Sequence, residues 1–214
     1  MSGSFVVLEG IDGSGTTTQA SLLNSWLVEQ GVPSRLTREP SDGPIGSLIR
    51  LILKGRIAGS PSSQPFDPRA VALLFAADRL DHIDTVIAPE VRHGTCVISD
   101  RYVASSLAYQ SVDVDAEWVK SINLMARQPD LTIFLRVGAE AALERITKRQ
   151  GLHRDLYETL IVQKKVAERY EALLADGAMA NAKVLDGTKP VAELALEIRR
   201  VVAEQVLEVK RLSL

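Results

Sequence analysis

The 214-residue chain has one cysteine, three histidines and few aromatic side chains, which make up 5% of its residues. The cysteine lies in the apolar run Cys96-Val97-Ile98, so an internal disulfide is excluded and a buried structural thiol is expected. The histidines lack metal-ligand spacing to one another or to the cysteine; they are His82, His93 and His153. We therefore expect no metal site built from histidine and cysteine.

Long apolar runs and excess charge of one sign are also missing. No apolar run reaches the length that crosses a membrane, and 25 basic against 27 acidic side chains give a formal net charge of −2. This balance provides no overall field that would attract nucleic acid or an anionic membrane. The first four residues lead into a strand-like run without the regions of a signal peptide. We expect one cytoplasmic domain, residues 1–214, that binds neither nucleic acid nor membrane.

A glycine-rich segment at residues 10–19, GIDGSGTTTQ, matches most of a phosphate-binding loop. The pattern requires Gly, four residues, Gly, Lys and then Ser or Thr. Gly10 and Gly15 hold this spacing and Thr17 supplies the hydroxyl, but Thr16 occupies the lysine position. The segment predicts a loop that surrounds a phosphate with backbone N–H groups and lacks one cation.

The residues on either side support this interpretation. Before the loop, Phe5-Val6-Val7-Leu8 is apolar and rich in β-branched side chains, as in a buried strand. After it, apolar residues recur at helical spacing from Thr17 to Leu27. Strand, glycine loop and helix is the order that the motif requires. We expect a nucleoside triphosphate site, against the alternative of a glycine-rich turn that binds nothing.

Strand-like and helical patterns alternate along the rest of the chain. Further strands are expected at 34–37, 95–99, 131–137 and 183–185, and helices at 45–53, 69–91, 117–127, 140–149, 157–174 and 191–206. The alternation predicts an α/β fold with a five-stranded, mostly parallel sheet flanked by helices on both faces. Ligands of such folds bind beyond the carboxyl ends of the strands.

Charged side chains follow two of these strands. Asp100 and Arg101 end the strand at 95–99, and Arg38 ends the strand at 34–37. A carboxylate beside a phosphate loop can hold Mg²⁺ or its waters, and an arginine can bind phosphate with two parallel hydrogen bonds. The alternative is an ordinary polar strand end.

A helical segment offers a ring and a guanidinium on one face. Phe75 and Arg79 are four residues apart, so a base could stack on the ring while its edge accepts from the arginine. By themselves these two residues are more typical of a core and its rim, because apolar residues at helical spacing are usually packing. The later run at residues 105–110, Ser-Ser-Leu-Ala-Tyr-Gln, adds hydroxyls and an amide suited to polar recognition.

The chain resembles the thymidylate kinases in five segments that occur in the same order and spacing: GIDGSGTTTQ, REPSDGPIG, LLFAADR, DRYVASSLAYQ and the DG at 186–187. The resemblance implies a P-loop NTPase fold and Mg²⁺-dependent transfer of the γ-phosphoryl group of ATP to dTMP. It also implies a homodimer.

The resemblance further implies which residues bind each substrate. For ATP they are Gly10, Ile11, Asp12, Gly13, Ser14, Gly15, Thr16, Thr17, Thr18, Asp186 and Gly187. For dTMP they are Asp12, Arg38, Phe75, Arg79, Arg101, Ser105, Tyr109 and Gln110. Thr17 and Asp100 would lie around Mg²⁺.

Individual roles follow from the same resemblance. Asp12 would contact the sugar and the acceptor phosphate, which Arg38 and Arg101 would bind. Phe75 would stack on thymine, and Arg79 would donate to a thymine carbonyl. Tyr109 and Gln110 would check the deoxyribose and the base edge, while Asp186 and Gly187 would lie beside adenine.

Two departures from the family pattern bear on catalysis. Members differ in whether an arginine lies inside the phosphate loop or in a mobile lid, and this loop has none, so the lid at about 145–157 must provide it. Catalytic roles are therefore expected for Arg149 or Arg154, with Arg145 in support. They would partly replace the lysine absent at Thr16.

Three alternatives stay open from the sequence. The chain could phosphorylate another pyrimidine nucleoside monophosphate, because one methyl group is worth only about 1 to 3 kcal/mol in specificity. It could bind nucleotides without catalysis, for which Thr16 is the support. A regulatory GTPase is disfavoured because the chain has no Asn-Lys-x-Asp segment.

Overall fold

The computed structural model describes residues 3–57, 65–150, 159–179 and 181–208, except the side chains of 149, 150, 207 and 208. Five strands form one sheet: β1 Ser4–Glu9, β2 Ser34–Arg38, β3 Cys96–Asp100, β4 Leu131–Arg136 and β5 Ala182–Asp186. All neighbours pair in parallel in the order β2-β3-β1-β4-β5. The five-stranded parallel sheet predicted from the alternating pattern is confirmed.

Helices connect the strands and cover both faces of the sheet. They are α1 Thr16–Glu29, α2 Pro44–Leu53, α3 Pro68–His82, α4 Ala88–Arg92, α5 Val103–Tyr109, α6 Ala116–Ile122, α7 Ala139–Gln150, α8 Leu160–Ala175 and α9 Val191–Val202. In the described ranges, no helix is both long and apolar enough to cross a bilayer.

Alternate residues of the central strand β1 point into different cores. Val6 and Leu8 pack with buried side chains of α1 and α9, such as Leu23 and Ile198. Phe5 and Val7 face the opposite side, in a cluster that includes Ile87 and Val91. A second cluster on that side, which includes Phe134 of β4 and Tyr170 of α8, continues the layer. Both faces of the central strands β1, β3 and β4 are thus buried, as their apolar sequences require.

One long predicted helix, 69–91, is interrupted. The chain forms a π-helical turn over Ile83–Ile87, where the N–H of Ala88 donates to the carbonyl of Ile83, five residues earlier. Pro89 has no N–H to donate to the preceding turn, and its ring would clash with the carbonyl four residues before it. The wider turn accommodates the proline at the start of α4.

The predicted helix 117–127 was too long, because α6 ends at Ile122. Asn123 follows as the C-terminal cap, and its side-chain N–H donates to the carbonyl of Val119 at 2.8 Å. This side chain competes with the backbone bonds that would extend the helix.

Candidate active site

The phosphate loop joins β1 to α1 and depends on two glycines with positive φ. Gly13 has φ 82° and Gly15 has φ 98°, a region that side-chain-bearing residues rarely adopt. A Cβ on Gly13 would also lie 2.4 Å from the carbonyl oxygen of Ala142. Because Gly15 precedes α1 without a side-chain cap, the first N–H groups of that helix stay available to an anion.

The loop forms one wall of a cavity of about 640 Å³, here called the donor cleft. Its lining includes the loop residues Asp12, Gly13, Ser14, Gly15, Thr16, Thr17 and Thr18. Gly10 and Ile11 are not among the lining residues; Ile11 is 2% exposed and packs in the core. The structure thus brings most of the predicted ATP-binding loop to one surface.

Gly187, Thr188 and Arg145 complete the opposite wall of the donor cleft. Arg145 donates to the carbonyls of Gly187 at 2.9 Å and Thr188 at 3.4 Å, and it reaches the Gly13 carbonyl at 3.5 Å. Asp186 accepts from the Thr188 N–H at 2.9 Å, which holds the loop together rather than pointing a carboxylate into the cleft. Arg145 therefore ties this loop to the phosphate loop. Its supporting role in the lid stays a prediction.

The end of β3 lies beside the first turn of α1. The Thr17 hydroxyl donates to Asp100 Oδ2 at 2.5 Å. Asp100 is 8% exposed, and its Oδ1 is buried without a hydrogen-bond partner among the described residues. Hydroxyl and carboxylate oxygens are the ligands that Mg²⁺ prefers, and phosphate oxygens and waters usually complete its shell. The two predicted metal residues therefore fit such an ion.

Arg101 follows β3 and is the one residue with a side chain that has a positive φ, 72°, in the described ranges. Its guanidinium donates to the Gly10 carbonyl at 2.8 Å, the Ser105 hydroxyl at 3.2 Å and Asp12 Oδ1 at 2.6 Å. These bonds fix the guanidinium at the base of the phosphate loop. They also pair it with the carboxylate that was expected beside the acceptor phosphate.

A second cavity, of about 350 Å³, opens next to the donor cleft and is here called the acceptor cleft. It is lined by all eight predicted dTMP-binding residues: Asp12, Arg38, Phe75, Arg79, Arg101, Ser105, Tyr109 and Gln110. Three residues line both cavities: Asp12, Thr17 and Arg101. The two clefts therefore meet at the residues expected around the transferred phosphoryl group.

Arg38 lies at the open side of the acceptor cleft. Its Nη2 is 2.6 Å from Asp42 Oδ1, and both side chains are more than half exposed. The Arg38 guanidinium lowers the pKa of Asp42. Because such exposed pairs are weak, Arg38 can exchange Asp42 for a phosphate at low cost.

Arg79, by contrast, is 1% exposed and belongs to a buried network. It donates to Glu39 Oε2 at 2.9 Å, the Tyr102 carbonyl at 3.1 Å and the Ser106 hydroxyl at 2.9 Å. It also donates through Nη1 to Asn123. A guanidinium has five N–H groups, so one Nη1 hydrogen has no partner in the described part of the chain. Arg79 lines the acceptor cleft and has one N–H that a ligand could accept from.

Polar groups of the acceptor cleft differ in whether they already have a hydrogen-bond partner. The side-chain oxygen Oε1 of Gln110 is buried and has no hydrogen-bond partner within the described ranges, so it can accept from a ligand. Tyr109 accepts from the Asp12 N–H at 2.8 Å, and burial raises the pKa of its hydroxyl. Phe75 supplies the apolar wall.

Three residues that were not predicted from the sequence contact the residues of the acceptor cleft: Glu9, Gln163 and Tyr170. Glu9, fully buried at the end of β1, accepts from Ser105 and from Tyr170, and burial raises its pKa. Gln163 donates to Asp12 Oδ2 at 3.2 Å. Glu9 could have been found from the sequence, because it is a charged residue at the end of an apolar strand. Nothing in the sequence pointed to Gln163 and Tyr170, which lie on the distant helix α8.

The predicted lid arginines lie at the edge of the described residues or outside them. Arg154 lies outside the described residues, and for Arg149 only the backbone is described, near the end of α7. Their roles stay predictions.

In the described residues, no group of three or more His, Cys, Asp or Glu side chains could hold a metal ion.

A parallel sheet with a glycine loop between β1 and α1, and clefts at the carboxyl ends of its strands, defines the class of P-loop NTPases. Residues 8–198 match the family model described as thymidylate kinase. The chain belongs to the thymidylate kinase family.

Three curated relatives agree with this assignment. The probable thymidylate kinase of Pyrococcus abyssi is 48% identical over 79% of this chain and 82% of the relative. The probable thymidylate kinase of Pyrobaculum aerophilum is 44% identical over 94% and 97%. The thymidylate kinase of Leifsonia xyli subsp. xyli is 39% identical over 92% and 93%.

Proposed function

We propose that the protein transfers the γ-phosphoryl group of ATP to dTMP, giving ADP and dTDP. The observation that carries this proposal is the meeting of the donor and acceptor clefts at Asp12, Thr17 and Arg101. A triphosphate on the phosphate loop and a monophosphate near Arg101 would face each other there. Holding both reactants in this way supplies much of the rate enhancement of phosphoryl transfer.

The base side of the acceptor cleft fits thymine. Thymine presents one N–H between two carbonyls, so its N3–H can donate to the unpartnered Gln110 Oε1 and a carbonyl can accept from the remaining Arg79 hydrogen. Phe75 would stack on the ring. Cytosine carries an acceptor at N3 and an amino group at the neighbouring position, so it would mismatch both groups.

Mg²⁺ would be held by Thr17 and Asp100 together with phosphate oxygens. When bound, it neutralises charge on the phosphates that approach each other. The chain's own contribution is to fix these oxygens: the Thr17 hydroxyl is oriented by Asp100, and the loop N–H groups surround the phosphates.

The first experiment is product formation by the purified chain with Mg²⁺-ATP and dTMP, with dUMP, dCMP and no acceptor in parallel. We expect dTDP as the main product, little turnover of dCMP, and loss of activity when EDTA removes Mg²⁺. Binding of ATP and dTMP without product would instead support a nucleotide-binding protein without catalysis. A preference for dUMP or dCMP would identify another pyrimidine kinase.

Thr16 leaves the loop without a cation at the lysine position. A charge ~4 Å from a phosphate oxygen is worth about 4 kcal/mol at an effective dielectric of 20, which is about a thousandfold in rate if it acts only in the transition state. Arg145 is held by carbonyls of the donor cleft. Arg149 and Arg154 are therefore the proposed replacements.

Changing both Arg149 and Arg154 to Ala should lower kcat by about 10³-fold or more, while the Kd for dTMP changes little. The reason is that their charges would act on the phosphoryl group in transfer and not on the acceptor base. Lys148→Ala is the matched control, because it removes a cation of α7 whose side chain is 74% exposed and paired with Glu144. Equal kcat in the double variant and the wild type would contradict the lid assignment.

We also propose that the protein is a homodimer. The support is an apolar surface on α2 and α3, where Leu51, Leu73 and Leu80 are each at least 40% exposed. Leu73 and Leu80 are seven residues apart and so share one face of α3. Exposed apolar patches of this kind mark interfaces. Sedimentation velocity should give a particle of twice the chain mass.

A further inference from the structure

We propose that Tyr170 is a positioning residue for Arg101, acting through Glu9 and Ser105, so that helix α8 sets the geometry of the acceptor-phosphate site. The inference rests on the proposed function, because it takes Arg101 as the residue that binds the acceptor phosphate. Tyr170 itself is fully buried behind the acceptor cleft and does not line it.

The carboxylate of Glu9 is surrounded by donors. Oε1 accepts from the backbone N–H of Tyr102 at 2.9 Å and of Ser105 at 3.3 Å. Oε2 accepts from the Ser105 hydroxyl at 2.6 Å and the Tyr170 hydroxyl at 2.9 Å. Four donors on two oxygens are the arrangement that an ionised carboxylate satisfies. Glu9 therefore fixes the direction of both hydroxyl hydrogens.

The direction of the Ser105 hydroxyl matters for Arg101. With its hydrogen on Glu9, the Ser105 oxygen presents lone pairs to its other neighbours, and Arg101 Nη1 donates to it at 3.2 Å. The Ser105 and Tyr170 oxygens are also 2.9 Å apart, as expected for two hydroxyls that donate to the same carboxylate oxygen. Removing the Tyr170 hydroxyl takes one donor from Glu9 Oε2, so the carboxylate that receives the Ser105 hydrogen is held less firmly. The Ser105 oxygen then fixes the Arg101 guanidinium less firmly as well.

Helix α8 also contacts Asp12, the carboxylate that pairs with Arg101. Gln163 lies seven residues, or two turns, before Tyr170 and donates to Asp12 Oδ2, while Arg101 binds Asp12 Oδ1. One helix face thus contacts Asp12 directly and Arg101 through Ser105. A shift of α8 along its axis would alter both partners of the Arg101–Asp12 pair together.

Tyr170→Phe tests the inference because it removes the hydroxyl and keeps the ring, whose centroid is 4.9 Å from that of Phe134. The measurement is calorimetric titration of the full chain with dTMP and with thymidine, which differ by the phosphate. We expect the Kd for dTMP to rise about tenfold, as for loss of a hydrogen bond that orients a charged group, and the Kd for thymidine to change less than about twofold. Equal changes for both ligands, or none, would overturn the proposal.

Two further variants separate positioning from general disturbance. Phe134→Leu alters the packing of the Tyr170 ring and leaves its hydroxyl, so the ratio of the two Kd values should stay at the wild-type value. In the background of Arg101→Ala, Tyr170→Phe should produce no additional loss of dTMP affinity. An additional tenfold loss there would show that Tyr170 acts on something other than Arg101.

Failure of the proposed substrate would be visible separately. If the wild type prefers another nucleoside monophosphate, the same comparison of that nucleotide with its nucleoside tests Tyr170 unchanged. If it binds none, the ¹⁵N resonances of the Arg101 guanidinium provide the test without ligand. Slow rotation in the wild type that becomes fast in Tyr170→Phe supports the proposal, and equal rotation in the two proteins overturns it.

Discussion

Arg101→Ala should lower kcat/KM for dTMP phosphorylation by about 10³ to 10⁵-fold, the range seen when an arginine that neutralises a transferring phosphoryl group is removed. Arg101 lines both clefts, and its guanidinium is fixed by Gly10, Asp12 and Ser105. Arg101→Lys should recover little of this activity, because an ammonium cannot reproduce the forked contact with a phosphate and with Asp12. Steady-state kinetics with a coupled ADP assay measures both variants.

The backbone at Arg101 provides an internal control for folding. Its φ of 72° is in the left-handed region, which costs a residue with a Cβ about 1 to 2 kcal/mol relative to glycine. Arg101→Gly should therefore be more stable in urea than Arg101→Ala by about 1 kcal/mol and yet equally inactive. Activity within tenfold of the wild type in either variant would mean that Arg101 does not hold the phosphates.

The sheet could be predicted because its central strands are continuous apolar runs. Residues of β1, β3 and β4 are buried on both faces, so these strands appear in the sequence as continuous apolar runs without alternating polar residues. The helix breaks were harder, because they depend on single residues. Pro89 and Asn123 each changed a helix that apolar spacing alone would have continued.

The site was predictable where its residues adjoin a glycine loop or a strand end. The acceptor-cleft residues were found because they occur in compact segments that resemble the family. Their partners were not found, because each comes from a distant part of the chain: Glu9 meets Tyr170, and Arg79 meets Glu39 and Asn123. The sequence shows that a buried charged side chain must have a partner, but the partner can be identified only from the fold.

Glu39→Gln should lower the free energy of unfolding by about 3 to 5 kcal/mol, the cost of leaving one charge of a buried pair without its partner. The side chains of Glu39 and Arg79 are 3% and 1% exposed, and their charged atoms are 2.8 Å apart. Glutamine keeps the shape and one acceptor and removes the charge. Urea unfolding of the purified variant measures the loss.

Asp42→Asn provides the matched control, since Asp42 pairs with Arg38 through the same chemistry at a site where the two side chains are 74% and 58% exposed. Asp42→Asn should lower the free energy of unfolding by less than about 1 kcal/mol. A double change of Glu39→Leu and Arg79→Met should recover much of the stability that Glu39→Gln loses, because a buried pair replaced by apolar side chains is often neutral. The pair would then serve chiefly to hold Arg79 in one orientation at the acceptor cleft. A loss in Glu39→Gln no larger than in Asp42→Asn would mean that other groups stabilise the Arg79 charge.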